Sequence, residues 1–226
     1  MSRARYVLEF SKQGYVRYVS HLDLMRIFKR AFRRSGIPVS YSNGFNPHPK
    51  MSISLPLTLG NTSASEYLEF YTDGDDGRDE WIGRLSRTLP KGVEPLRIGV
   101  IGEDMKRSVA ASVVSCGYRI GYPPSEEDRI GGIVTEINRR DTLPVEKKSK
   151  KGPVTVDIRP KIRSLALDPK NACVRAELDA GPASDLSVEL LIKAAAALAD
   201  GGIARETLDV ERTHITLDID YHIDWL

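Results

Sequence analysis

The residues best suited to chemistry gather near the N-terminus. The stretch Tyr41–Lys50, YSNGFNPHPK, presents Tyr41, Asn43, Phe45, Asn46, His48 and Lys50 among turn-forming residues. Pro47 and Pro49 fix their own φ and push Asn46 and His48 towards extended backbone. Polar groups on so stiff a loop are held in a defined arrangement, and loops on a scaffold often carry function. The bland alternative is a rigid connection between two strands. Just upstream, Arg26, Lys29, Arg30, Arg33 and Arg34 recur at helical spacing. At about 100° per residue they cover an arc of about 140°. No acidic residue four positions away interrupts that arc. Like charges on one helix face repel, and a polyanion such as an RNA backbone relieves the repulsion. The alternative is a solvated helix face.

A second chemistry is open to the same region. His21, Asp23, Asn46, His48 and Lys50 can be drawn together as an enzyme site, with His21, His48 and Lys50 as its working groups. A metal held by His21, Asp23 and His48 is poorly supported, because Asp23 stands where a capping acid belongs. His214 and His222 lie in the far half of the chain. No metal or cofactor is expected. There is no phosphate-binding GxxxxGK[ST] loop, no GxGxxG and no GxSxG elbow. Cys116 and Cys173 are too few and too far apart for a disulfide framework or an iron–sulfur cluster. They read as two reduced thiols in a cytoplasmic protein.

These groups must be positioned by the elements around them. Ser20 reads as an N-cap with Asp23 as a near-capping box, and Gly36 as the stop. Between them His21–Ser35 is a helix with Leu24, Met25, Phe28, Ala31 and Phe32 on one arc. Arg3–Phe10 alternates as a strand, and Tyr15–Val19 reads as a short extended piece. Ile37–Tyr41, Met51–Leu59, Glu66–Thr72 and Val93–Ile101 are expected strands. Trp81, Leu85 and Leu89 mark a helix that Pro90 stops. Asp73–Asp79 is an acidic turn. The second half repeats the order of elements. Ala110–Tyr122 is a strand, Glu126–Arg139 a helix, and Leu143–Glu146 and Pro153–Leu167 are extended about a basic turn. That turn holds Lys147, Lys148, Lys150 and Lys151. Ala172–Leu178 is a strand, Ser187–Ala199 an apolar helix and Arg212–Asp220 a last strand.

The order implies an α+β protein of two tandem ferredoxin-like (split βαβ) domains with antiparallel sheets, residues 1–104 and 109–226. Each sheet would carry helices on one face and leave the other free to bind. Charge is uneven along the chain. Residues 1–60 hold ten Lys/Arg against two Asp/Glu, a balance of +8, whereas residues 61–105 hold five against ten, a balance of −5. A basic lobe of this kind suits a polyanion. No apolar run approaches the roughly 20 residues of a membrane span, and a strand pattern begins without a signal peptide.

The run Ser20–Gly60 also carries a resemblance. His21–Arg26 (HLDLMR), Tyr41–Ser42, Gly44–Lys50 (GFNPHPK) and Pro56–Gly60 are similar to the signature of the radical-SAM-associated (radical-SAM-linked) family of unknown function. Thr58 stands where that family more often has a second proline. The resemblance implies a stand-alone member and a radical SAM protein as partner, but no assigned activity. Tandem ferredoxin-like domains are similar in outline to CRISPR-associated endoribonucleases and to one class of tRNA pseudouridine synthases, which favours RNA by fold analogy only.

Three functions follow. The first is an RNA-binding accessory protein that presents RNA to a radical SAM enzyme. Arg26, Lys29, Arg30, Arg33 and Arg34 would contact phosphates, with Tyr41, Asn43, Phe45, Asn46, His48 and Lys50 as the loop contribution. Tyr15 and Tyr18 could stack on bases or could equally be packed into the sheet. The second is a protein-docking adaptor for the same partner. The third is an RNA-processing or RNA-modifying enzyme using His21, His48 and Lys50.

Overall fold

A computed structural model of the chain describes residues 4–74, 78–149, 152–199 and 202–226. Its strands in chain order are β1 (Ala4–Lys12), β2 (Met51–Ile53), β3 (Thr62–Thr72), β4 (Val93–Ile101), β5 (Val113–Gly121), β6 (Pro144–Ser149), β7 (Gly152–Asp157), β8 (Ile162–Asp168), β9 (Cys173–Asp179), β10 (Asp209–Leu217) and β11 (Asp224–Trp225). The helices are α1 (His21–Ser35), α2 (Trp81–Ser86), α3 (Glu127–Arg139) and α4 (Val188–Leu198). The protein is mixed α and β, and β1 with β3 and β4, β2 with β3, β4 with β11, β5 with β9, β6 with β7 and β8 with β9 all pair antiparallel.

Two compact units form, Met1–Val113 with Leu217–Leu226, and Val114–Thr216. The sequence had suggested a division at 104–109 with the C-terminus in the second half. The first unit instead runs on to Val113 and takes back the last ten residues. Arg5 gathers these segments. Its guanidinium donates to the Met105 and Arg107 carbonyls and to the Tyr221 hydroxyl. Its Nε pairs with Glu69 at 2.7 Å. Glu69 also accepts from the Tyr71 hydroxyl and the Val109 amide. Burial pushes the Tyr221 phenol up to about 12, so it sits neutral beside Arg5.

In the first unit the strand order is β11-β4-β1-β3, and β2 lies on β3. Alternation along β1 turns Tyr6, Leu8 and Phe10 to one face, where Leu8 lies level with Leu68 on one side and Ile98 on the other. α1 and α2 cover that face with Leu24, Phe28, Ala31, Phe32, Trp81 and Leu85. Phe10 meets Phe28 edge-on at 4.7 Å, Phe32 meets Phe70 tilted at 4.9 Å, and Tyr6 stacks on Phe70 at 5.6 Å. Each buried Leu or Phe stabilises by on the order of 1.5–3 kcal/mol.

The opposite face is not free, contrary to the expectation from element order. Val7, Glu9, Ser65, Tyr67 and Glu69 are buried there. The segment after β4 and the C-terminal residues lie over it. Trp225 packs 6.1 Å from Tyr67 and under the Arg97 guanidinium, 3.7 Å from its ring centre. Glu9 accepts from Arg97 and from the Ser65 hydroxyl.

In the second unit the order is β10-β5-β9-β8, and β6 and β7 form a separate ribbon. Apolar residues of α3 and α4, among them Ile130, Ile137 and Leu191, pack against Ile120, Leu165 and Val174 of the strands. Several sequence expectations shift by local chemistry. Tyr15–Val19 is not extended, since Gly14–Tyr18 is a 3-10 turn. Ile37–Tyr41 forms only isolated bridges at Val39 and Tyr41. The strand expected over Met51–Leu59 stops at Ile53, short of Pro56. The middle of the acidic turn and the Lys150 and Lys151 part of the lysine turn lie outside the described residues.

Removing the Glu69 carboxylate would strand the Arg5 charge among buried groups. Glu69→Ala is expected to lower unfolding free energy by about 3 kcal/mol, read as a shifted urea midpoint. A variant as stable as the parent would show that the pair does not hold this face together.

Candidate nucleic-acid interface

The basic helix is built as the sequence requires. Ser20 is the N-cap, and its hydroxyl accepts from the Asp23 amide at 3.2 Å and donates to Oδ2 of Asp23 at 2.8 Å. Gly36, at φ 69°, ends the helix in the left-handed region. With Leu24, Phe28, Ala31 and Phe32 fixed in the core, the opposite arc must face solvent. Arg26, Lys29, Arg30, Arg33 and Arg34 are all exposed.

They are not equivalent. Arg26 pairs with Oδ1 of Asp23 at 2.6 Å. An acid three positions back thus interrupts the arc that looked free of acids four positions away. Arg34 donates to the Thr88 carbonyl beyond α2 and ties the helix end to its neighbour. Lys29, Arg30 and Arg33 form no hydrogen bond or ion pair among the described residues. Lys29–Arg33 and the flanking i,i+4 pairs, Arg26–Arg30 and Arg30–Arg34, each cost on the order of 0.2–0.5 kcal/mol. Core burial by α1 is several times larger, so the helix persists with this repulsion built in.

The Ser20 and Arg26 contacts, in that order, hold the Asp23 carboxyl below its ordinary range. Both its oxygens are thereby engaged, so in the enzyme reading Asp23 is a helix cap with an ion pair. Among the described residues no group of three or more His, Cys, Asp and Glu is placed to hold a metal.

The loop after α1 is closed at its neck. Tyr41 bridges Pro49, the Ser42 amide donates to the His48 carbonyl at 2.8 Å, and the His48 amide donates to the Ser42 hydroxyl at 3.0 Å. The Lys50 amide donates to the Ser40 carbonyl, and the Tyr71 amide donates to the Lys50 carbonyl, so the neck is fastened to β3. Asn43, Phe45, Asn46 and His48 stand exposed at the tip, Phe45 fully so. Tyr41 is exposed at the base, and Lys50 is half-buried at the foot. Ser42 was missed in the sequence, although a hydroxyl beside a turn-rich run is a usual closing group. The structure gives no hydrogen bond or ion pair between Asn43–His48 and α1 among the described residues.

The family described as "Uncharacterized protein conserved in bacteria (DUF2344)" matches residues 5–196. The chain belongs to that family. Comparison with curated proteins finds no match. The DUF2344 match takes in the whole of α1 and the loop, together with most of the second unit.

The second unit of this DUF2344 chain offers a contrasting surface. On its strands Arg119 pairs with Asp209 and Glu211, Arg163 with Asp179, and Arg175 with Asp168. His214 lies between Glu177 at 3.1 Å and the Thr213 hydroxyl at 3.0 Å. A β-carbon at Gly117 would come within 2.1 Å of the His214 ring, so any larger residue there would have to displace that ring. Each of those arginines is matched by a carboxylate, which leaves little attraction for a polyanion. On α1, by contrast, Lys29, Arg30 and Arg33 have no carboxylate at ion-pair distance among the described residues.

Replacing the cap tests this construction. Ser20→Ala is expected to cost about 1 kcal/mol. Because the Asp23 pKa is lowered on folding, its stabilisation is present above the ordinary carboxylate value of about 4 and is lost as pH falls through the native value. Urea unfolding of Asp23→Ala between pH 5 and 2 should therefore show a flatter acid limb than the parent. An unchanged limb would mean that Asp23 does not hold the helix start.

Proposed function

We propose that this chain is an RNA-binding accessory protein acting beside a radical SAM enzyme in the cytoplasm. The observation that carries the RNA part is the trio Lys29, Arg30 and Arg33. They are held on one solvent arc of a helix whose other arc is locked in the core, and none of the three forms an ion pair with an acid among the described residues. Phosphates answer such an array without reading sequence. The closed loop Tyr41–Lys50 adds Asn43, Asn46 and His48 as hydrogen-bonding groups and Phe45 as a ring able to stack on a base.

The partner rests on the resemblance of Ser20–Gly60 to radical-SAM-linked proteins. The chain's two cysteines, Cys116 and Cys173, are free and buried, and two thiolates are too few for the cluster such an enzyme needs. Radical chemistry then belongs to the partner, and this chain supplies the RNA contact. We read each unit as a ferredoxin-like split βαβ fold. The order β4-β1-β3-β2 with α1 and α2, and β10-β5-β9-β8 with α3 and α4, supports that reading.

The first check is the ratio of absorbance at 260 to 280 nm in freshly purified protein, with sequencing of any bound RNA. The decisive one is a salt titration with a mixed-sequence RNA oligonucleotide. The triple variant Lys29→Ala/Arg30→Ala/Arg33→Ala should keep its circular dichroism and lose about 2 from the slope of log affinity against log salt, at about 0.7 per phosphate contact. Parental affinity and slope in the variant would sink the proposal. Co-purification with a radical SAM protein, free of nucleic acid after nuclease treatment, would instead make the basic arc a protein dock.

A further inference from the structure

α1 begins beside an exposed group of large apolar side chains. Tyr15 is 93% exposed, Tyr18 65% and Leu22 69%. Single exposed apolar residues are ordinary, but three within eight positions, on an anchored segment, are not. The anchoring is specific. Lys12 is buried, and its ammonium donates to the Arg17 and Val19 carbonyls at 3.4 and 3.0 Å. The Gln13 amide donates to the Gly92 carbonyl at 2.7 Å, and the Gly60 amide donates to the Arg17 carbonyl at 2.9 Å. Val16 sits in the core between the two tyrosines. A lysine charge is taken out of water so that this short turn is held in place while both rings point outward.

Helical geometry connects the turn to the cations. Leu22, Arg26, Lys29 and Arg33 are spaced i, i+4, i+7 and i+11, which puts them on one row within about 60°. Leu22 thus continues the cationic row to the helix start at His21, three positions before which Tyr18 stands in the chain. Rings with two rotatable bonds on a pre-set backbone lose little entropy when they bind. Rings beside a row of cations suit a ligand with flat apolar faces along an anionic backbone.

We propose that Tyr15 and Tyr18 are a stacking platform and that the ligand of the basic helix is single-stranded RNA with unpaired bases. This rests on the RNA-binding reading and narrows it. A duplex hides its base faces and can use only the cations. A single strand can use both, and every base has a face to stack.

The experiment compares one 12-nucleotide RNA, single-stranded and annealed to its complement, against the full chain and its variants. The single strand should bind at least tenfold tighter than the duplex. Tyr15→Ala and Tyr18→Ala should each weaken the single strand about tenfold, with the salt slope unchanged. Tyr15→Phe and Tyr18→Phe should keep parental affinity, since stacking needs the ring and not the hydroxyl. Both tyrosines are exposed, so the fold should survive. Equal binding of both RNA forms, with Tyr→Ala variants like the parent, would overturn the platform and leave the RNA reading standing. No binding of either form would overturn both.

Discussion

Everything proposed for this protein depends on which arc of α1 is buried. Leu24, Phe28, Ala31 and Phe32 are committed to the cluster with Tyr6, Phe10, Leu68 and Phe70. Burying those side chains is worth several kcal/mol, whereas the like-charge contacts on the far arc cost only tenths each. The helix cannot rotate to relieve its charges without losing more than it gains. The cations are therefore fixed outward and close together. Arg34 adds to this by tying the helix end to the Thr88 carbonyl, which engages its guanidinium without neutralising it and steadies the helix end.

The second constraint is the covering of the other sheet face. An antiparallel sheet with helices on one side ordinarily leaves the other side wet. Here Glu69 and Glu9 are buried on that side, and each accepts from an arginine. Buried carboxylates are tolerable only when paired and hydrogen-bonded. Arg5, in pairing with Glu69, also gathers the carbonyls of Met105 and Arg107 and the hydroxyl of Tyr221. With this face closed, the recognition elements proposed for the first unit are α1 and its two flanking segments.

The local signals in the sequence were readable because their causes are local. Ser20, Asp23 and Gly36 mark the ends of α1 through groups within a few residues of each other. Trp81 with Leu85, and the alternation of β1, follow from periodicity alone. What could not be read depends on distant partners. β11 is two residues long and exists because β4 offers it an edge, with Arg97 over Trp225. Tyr15 and Tyr18 look like strand residues until Lys12 is seen to curl their backbone into a turn. The pairing of Arg26 with Asp23 was within reach, since i,i+3 contacts are as local as i,i+4. Attention to one spacing concealed it.

The loop Tyr41–Lys50 shows how stiffness and presentation are separated. Its prolines restrict the tip, but restriction alone does not orient a loop. Orientation comes from the neck, where Ser42 and His48 exchange two hydrogen bonds and Ser40 and Lys50 are fastened to each other and to Tyr71. The backbone groups used there belong to Ser40, Ser42, His48, Lys50 and Tyr71, so Asn43, Phe45 and Asn46 are left exposed without side-chain bonds to break. A ligand that meets them gives up only water. The same holds for Lys29, Arg30 and Arg33 and for the ring of Tyr15. Elements that are rigid in the backbone and unspent in the side chain lose little on binding, and three such elements follow one another here, which is what supports the proposed role.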